Sequence, residues 1–358
     1  ELYTEITKNY PQSIHAKDSY AKIGMIYYNM GKEKDALIHL KKVVETYPGT
    51  EEAKSALNNI KTIYIESNNV DEFIAYTKKI PEAEITQTEQ DSISYQAIEN
   101  QYMNGDCQKA INGFKDYISK YPDGAFYASA NYYLADCLMK NAQKQEALQA
   151  YENIIIKPKN EFTEKAILKA ANLNFENNNY ETALQEFCLL EQTAEISNHK
   201  LQALLGEMEC YYLLNKFDST IIVSNKILSL EKTDENISEK ASYYLAKSLL
   251  KNANSGQAIE EFKKLTSAKN TEYASEAQYT LAEIQYNNGN LEESEKIILE
   301  ITSNPSSEFW LAKAFILWAD IFKQRGNKIQ VKQTLQSIID NYEGDQSIIN
   351  EAQNKLDE

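Results

Sequence analysis

Catalysis needs groups of complementary chemistry held close together, and this chain offers few. Its only histidines are His15, His39 and His199. They fall on different helices or in different segments, and none has a second ligand at the spacing a metal ion demands. The four cysteines, Cys107, Cys137, Cys188 and Cys210, include no Cys-x-x-Cys pair. No two glycines lie within five residues of each other, so a phosphate-cradling loop cannot be built. Carboxylate pairs such as Glu51-Glu52 and Glu292-Glu293 abound, but paired acids on helices are ordinarily solvated faces. The chain is therefore read as a non-enzyme, with no catalytic residue, no cofactor and no metal site. A nucleic-acid partner is also disfavoured. The net charge is -16, from 37 Lys+Arg against 53 Asp+Glu, and no basic stripe offsets the repulsion of a polyanion.

What remains is binding, and the elements that would present a binding surface are legible. The chain has 358 residues, 42% hydrophobic, with 25 Tyr but only 6 Pro and 11 Gly. That composition suits a long helical array. A rung recurs at Ala36, Phe73, Ala110, Ala147, Ala183, Thr220, Ala258, Ser294 and Val331, in steps of 36 to 38 residues. Each period reads as two helices. In the first full one, Tyr20, Ile23, Gly24 and Tyr27 share one helical face, and Ala36, Leu40 and Val43 share another. A second rung, Gly31, Asn68, Gly105, Ala142, Asn178, Asn215, Ala253, Gly289 and Gly326, falls where each first helix stops. Reversal there favours a left-handed residue, which Gly and Asn tolerate. At Ala142 and Ala253 the turn must be made differently or under strain. Gly24, Ala135, Ala171, Ala246, Ala282 and Ala319 mark a close approach within each pair. Lys61, Ile98 and Met208 break that pattern, which predicts looser packing in repeats two, three and six.

These positions resemble the tetratricopeptide repeat (TPR) family, residue by residue. Tyr20, Ile23-Gly24, Tyr27, Gly31, Ala36, Leu40, Val43 and Pro48 occupy the family's pattern in the first full repeat. The likeness runs over essentially the whole chain, with the period stretched beyond the usual 34 residues. It implies an all-α, right-handed superhelical solenoid of about nine helix pairs. Residues 1–11 read as the second helix of a truncated preceding repeat, so the natural chain is expected to continue upstream. Repeats one and two cover 12–81, and 82–90 is a loop or hinge. Repeats three to nine cover 91–342, and 345–357 forms a short capping helix through Ile348, Ile349, Ala352 and Leu356.

In this fold the first helices line a concave groove, and two positions seven residues apart point into it. They read Ala21 and Tyr28, Asn58 and Ile65, Tyr95 and Tyr102, Tyr132 and Met139, Leu168 and Phe175, Leu205 and Tyr212, Tyr243 and Leu250, Tyr279 and Tyr286, and Ile316 and Lys323. Between the columns stand Glu99, Asp136, Glu209, Glu283 and Asp320, an acidic line that Lys247 interrupts. The expected partner is a protein or peptide segment with apolar anchors and net positive charge. The competing account is that the tyrosines merely pack across neighbouring first helices. Some TPR domains grip a terminal carboxylate, and Lys165, Lys169 and Asn172 would suit this. Gly206 and Glu209 stand where that clamp needs Asn and no acid.

The junctions Tyr10-Pro11-Gln12-Ser13, Tyr47-Pro48-Gly49-Thr50 and Tyr121-Pro122-Asp123-Gly124 resemble a bacterial subgroup. It contains the Tol-Pal-associated periplasmic protein and the BamD-type outer-membrane lipoprotein. That likeness implies a scaffold in cell-envelope assembly, periplasmic or associated with the outer membrane, with the cytoplasm as the alternative. Asp91-Ser92-Ile93 and Asp218-Ser219-Thr220 resemble an O-glycosylation acceptor of Bacteroidetes envelope proteins. A glycan-binding protein of the SusD-like kind is the other functional class, but it would carry long irregular insertions that this chain lacks. No run reaches the roughly 18 to 20 apolar residues of a membrane helix. The cysteines read as small buried apolar groups. Cys107 and Cys137 lie on neighbouring helices, as do Cys188 and Cys210. Their offsets predict Cα separations beyond about 7 Å, and hence no disulfide.

Overall fold

The computed structural model describes residues 1–80, 83–231 and 233–357, and all the regular elements among them are helices. The chain divides into two compact units, Glu1–Ala170 and Ala171–Glu358. In the first, α1 (Leu2–Asn9) precedes α2 (Ala16–Asn29) and α3 (Glu33–Thr46), then α4 (Glu51–Glu66) and α5 (Val70–Thr77). Next come α6 (Gln87–Met103) and α7 (Cys107–Lys120), α8 (Tyr127–Lys140) and α9 (Lys144–Ile155), and the start of α10 (Thr163–Glu176). The second unit holds the rest of α10 and α11 (Tyr180–Thr193), then α12 (Ser197–Leu213) and α13 (Phe217–Leu228). The pairs α14 (Glu235–Lys251) and α15 (Ser255–Leu265), α16 (Thr271–Asn287) and α17 (Leu291–Ser303), and α18 (Glu308–Gln324) and α19 (Lys328–Asn341) follow. The last helix, α20 (Gln346–Asp357), buries Ile348 and Ala352 against Ala312, Ile316 and Leu335 of α18 and α19.

Each first-to-second helix reversal is made the same way. The turn residues from Gly31 to Gly326, including Asn68, Asn178 and Asn215, all have φ between 54° and 81°. Ala142 (φ 59°) and Ala253 (φ 57°) adopt this conformation too. The reason is the hydrogen bonding it permits. Gln143 N–H reaches Leu138 O at 2.9 Å and Ala142 N–H reaches Met139 O at 3.0 Å, so two orphan carbonyls of α8 are satisfied. Asn254 and Ala253 repeat the arrangement on Leu249 and Leu250. The two alanines therefore hold a strained backbone that closes the motif. Ala142→Gly and Ala253→Gly are each expected to stabilise the protein by about 0.5–1 kcal/mol, since the Cβ penalty outweighs glycine's extra chain entropy. Thermal melts of the single variants check this, and a lowered midpoint in both would contradict it.

The close approach within pairs is real. A Cβ on Gly24 would lie 2.6 Å from Leu40 Cγ. The expected looseness at Ile98 is corrected by its partner helix. Gly113 of α7 faces it, and a Cβ there would lie 2.9 Å from Ile98 Cγ2. Size is thus conserved across the interface, with the large residue on α6 and the small one on α7. Met208 is fully buried in a cluster with Leu204, Val223, Ile227 and Ala241. Lys61 stays half-buried and pairs with Glu89 at 2.7 Å.

Helix α5 spans 8 residues where α3 and α7 span 14. It ends at Thr77. Pro81, the last residue of the expected second repeat, and Glu82, the first of the expected loop or hinge, lie outside the described residues. Thr86 then caps α6, accepting from Glu89 N–H at 3.2 Å.

Cys107 and Cys137 form a disulfide, with Cα atoms 5.2 Å apart, against the expectation of four free thiols. Cys107 opens α7, and Cys137 lies three residues before the end of α8. Antiparallel neighbours set the start of one beside the end of the next, so the axial offset is only about 4.5 Å. Cys188 stands eight residues into α11, but Cys210 only three from the end of α12. That mismatch of about 7.5 Å leaves both as thiols.

Candidate partner-binding groove

The first-column tyrosines are explained by stacking one repeat ahead. Tyr95 stacks on Phe126 (ring centroids 4.5 Å apart) and Tyr132 packs on Phe162 (4.9 Å). In the second unit Tyr243 stacks on Tyr273 (4.4 Å) and Tyr279 packs on Trp310 (5.3 Å). Each partner lies 30 or 31 residues on, at the entry of the next first helix. Tyr95 and Tyr279 are consequently buried, at 5% and 9% exposure. These two rings are buried between neighbouring first helices. Tyr132 and Tyr243 keep part of their surface open.

The second column bonds forward through its hydroxyls. Tyr28 Oη donates to Glu66 at 2.6 Å and Tyr102 Oη to Asp136 at 2.9 Å, while Tyr286 Oη accepts from Gln324 at 2.9 Å. Met139 is half-buried. Phe175 packs edge-on to Tyr180, and Tyr212 edge-on to Phe217 and Tyr244. Burial, reinforced by the Asp136 carboxylate, pushes the Tyr102 hydroxyl up to about 12. The same two causes, with Glu276 as the acid, push Tyr243 up further. Both stay neutral donors at any physiological pH.

The acidic line is less continuous than the sequence suggested. Asp136 is paired with Lys140 at 2.7 Å, Glu209 with Lys240, and Asp320 with Lys355, which reaches both oxygens at 2.8 Å. Lys247 is itself neutralised by Glu276 at 2.8 Å. Glu99 and Glu283 differ. Each accepts a hydroxyl from the tyrosine four residues before it, Tyr95 or Tyr279, at 2.9 Å. Among the described residues neither has an ammonium partner. The lysines were missed because they belong to the same helix one turn on, to the next repeat, or to the last helix. Reading one register position at a time hides such pairs. No described group of His, Cys, Asp and Glu could hold a metal ion.

Models of the tetratricopeptide repeat match residues 18–50 and 243–308, and a tetratricopeptide repeat-like domain matches 73–197. The chain carries tetratricopeptide repeats. Among solved structures it is similar to the C-terminal part of a TPR repeat-containing protein from Cytophaga hutchinsonii. The identity is 15%, over 72% of this chain and 98% of that one, with a TM-score of 0.51. A tetratricopeptide repeat protein from Parabacteroides merdae matches at 13% identity, over 96% and 99% of the two chains, with a TM-score of 0.31. No curated protein matches the chain. At 15% identity the Cytophaga likeness speaks to fold alone, and TPR proteins are typically non-catalytic scaffolds.

Proposed function

We propose that the protein is a non-catalytic interaction scaffold in bacterial cell-envelope assembly, taking a basic protein segment with apolar anchors on its first-helix faces. The observation that carries this is the state of Glu99 and Glu283. Each is a half-buried carboxylate beside aromatic rings, with no ammonium partner among the described residues. A lysine or arginine of a partner would complete the pairing that Asp136, Glu209 and Asp320 find within the chain. Beside Glu99, the open parts of Tyr102, Tyr132 and Met139 supply apolar contact.

The glycan-binding alternative needs free aromatic faces for sugars. Tyr102 already carries Tyr133 at 4.6 Å and the Lys140 ammonium at 5.3 Å. Tyr243 carries Tyr273 and the Lys247 ammonium at 4.7 Å. That supports the protein-binding reading. The envelope reading rests on the Tyr-Pro junctions and gains support from the Cys107–Cys137 disulfide, since disulfides persist in oxidising compartments.

The test is Glu99→Gln with Glu283→Gln. Each amide oxygen can still accept from Tyr95 or Tyr279 while the charge is removed, so thermal stability should stay nearly unchanged while capture of envelope proteins falls at least tenfold. Equal capture by the variant and the parent would remove the acidic line from the binding site.

A further inference from the structure

The disulfide sits at the junction of repeats three and four, beside the face on which the proposed groove reading rests. Cys107 is the first residue of α7, directly after the reversal between α6 and α7. Cys137 is fully buried in α8, next to Asp136, which takes the hydrogen bond from Tyr102. Two ties thus join repeats three and four at one level, the covalent one beneath and the Tyr102–Asp136 bond at the face. The two cysteines also differ in access. Cys107 is half-buried at a helix N-terminus whose cap, Asp106, accepts from Lys109 N–H at 3.1 Å, while Cys137 is enclosed.

We propose that Cys107 and Cys137 are an exchangeable dithiol whose closure locks the α8 row of the groove to the α6–α7 turn. The oxidant is an external disulfide, of the glutathione type or on a thiol–disulfide oxidoreductase. Cys107 thiolate, the more accessible of the two, attacks one donor sulfur; the donor S–S bond breaks and one donor thiolate leaves. Cys137 thiolate then attacks Cys107 Sγ in the mixed disulfide and expels the second donor thiolate. The two protons given up by the protein thiols pass to the donor thiolates, and two electrons pass from the cysteine pair to the donor. Cys188 and Cys210 stay outside the exchange. Their offset keeps them apart, and burial raises both thiols, Cys210 up to about 12.

The experiment uses the full chain and does not depend on any partner, so its failure is separable from failure of the groove reading. Thiols are counted in denaturant on protein oxidised with glutathione disulfide, and again after phosphine reduction. Two and then four are expected. Amide hydrogen exchange across residues 127–140 is followed in both states. Reduction should speed it at least tenfold, glutathione disulfide should restore it, and α16 amides should be unaffected. Cys107→Ser with Cys137→Ser should exchange fast in either condition. Four thiols after oxidation, or acceleration of less than tenfold in the parent protein, would overturn the proposal even if the variant does not fold.

Discussion

At pH 8 the Glu207→Gln variant is expected to be more stable than the parent, and the advantage should shrink as the pH falls to 5.5. Glu207 lies on α12 at 6% exposure, and its Oε1 has no hydrogen-bond partner. Burial, aided by the Glu191 carboxylate, raises its pKa from 4.5 to about 7, against the pull of Lys226 and a hydrogen bond with Cys188. The groups facing it are Cys188 and Glu191 on α11, Tyr211 on its own helix and Lys226 on α13. Lys226 is already engaged by Glu191 at 2.9 Å, which limits what it can offer Glu207. Because the folded value lies above the unfolded one, the native state binds the proton more tightly. Stability is full below about pH 4.5 and is lost as the pH rises through about 7. Between pH 5.5 and 8 the loss is about 2 kcal/mol. Glutamine keeps the shape without the charge, so the difference between variant and parent isolates this group from other titrations. Urea melts at the two pH values read it, and a difference that does not change with pH would show that Glu207 is ionised at little cost.

The repeat was legible because it rests on backbone requirements. A reversal needs φ near +60° every period, and the Gly and Asn residues there reported it; at Ala142 and Ala253 the register marked the place and the residue type did not. The face each residue takes on its helix was legible too. Contacts that jump a repeat were not. The Tyr95–Phe126 and Tyr243–Tyr273 stacks involve aromatics at the entries of the next first helices, outside the two columns that seemed to matter. Ile98 looked like a packing defect until Gly113 was seen opposite it. The disulfide was misjudged for a related reason. Its geometry depends on which ends of neighbouring helices meet, and a helix-start count one turn out moves a cysteine about 5.4 Å along the axis. Pattern reading fixes faces well and axial levels poorly, and bonds between side chains need both.

Asp91→Ala is expected to destabilise the first unit by about 2–4 kcal/mol, because it leaves two donors without an acceptor. Asp91 belongs to α6 and is 7% exposed. Its carboxylate accepts from Tyr117 Oη of α7 and from Ala125 N–H at 2.8 Å, in the connection to α8. Gly124 completes the enclosure, since a Cβ there would lie 2.8 Å from Tyr117 Oη and 3.0 Å from Asp91 Oδ1. The Tyr-Pro-Asp-Gly junction that looked like a family signature is therefore tied down from α6, the first helix of its repeat. Asp91 also begins one of the two tripeptides resembling a glycosylation acceptor, and its carboxylate is committed to this knot. Burial and the Asp91 carboxylate push the Tyr117 hydroxyl well above its ordinary range, so it remains a donor. Tyr117→Phe removes one donor together with its bond and should cost only about 1 kcal/mol. In that background Asp91→Ala strands one donor rather than two, so its cost should fall by about 1–2 kcal/mol. Denaturant melts of the four proteins give the coupling. If Asp91→Ala costs less than about 0.5 kcal/mol, or the same amount in both backgrounds, the two bonds do not hold the junction.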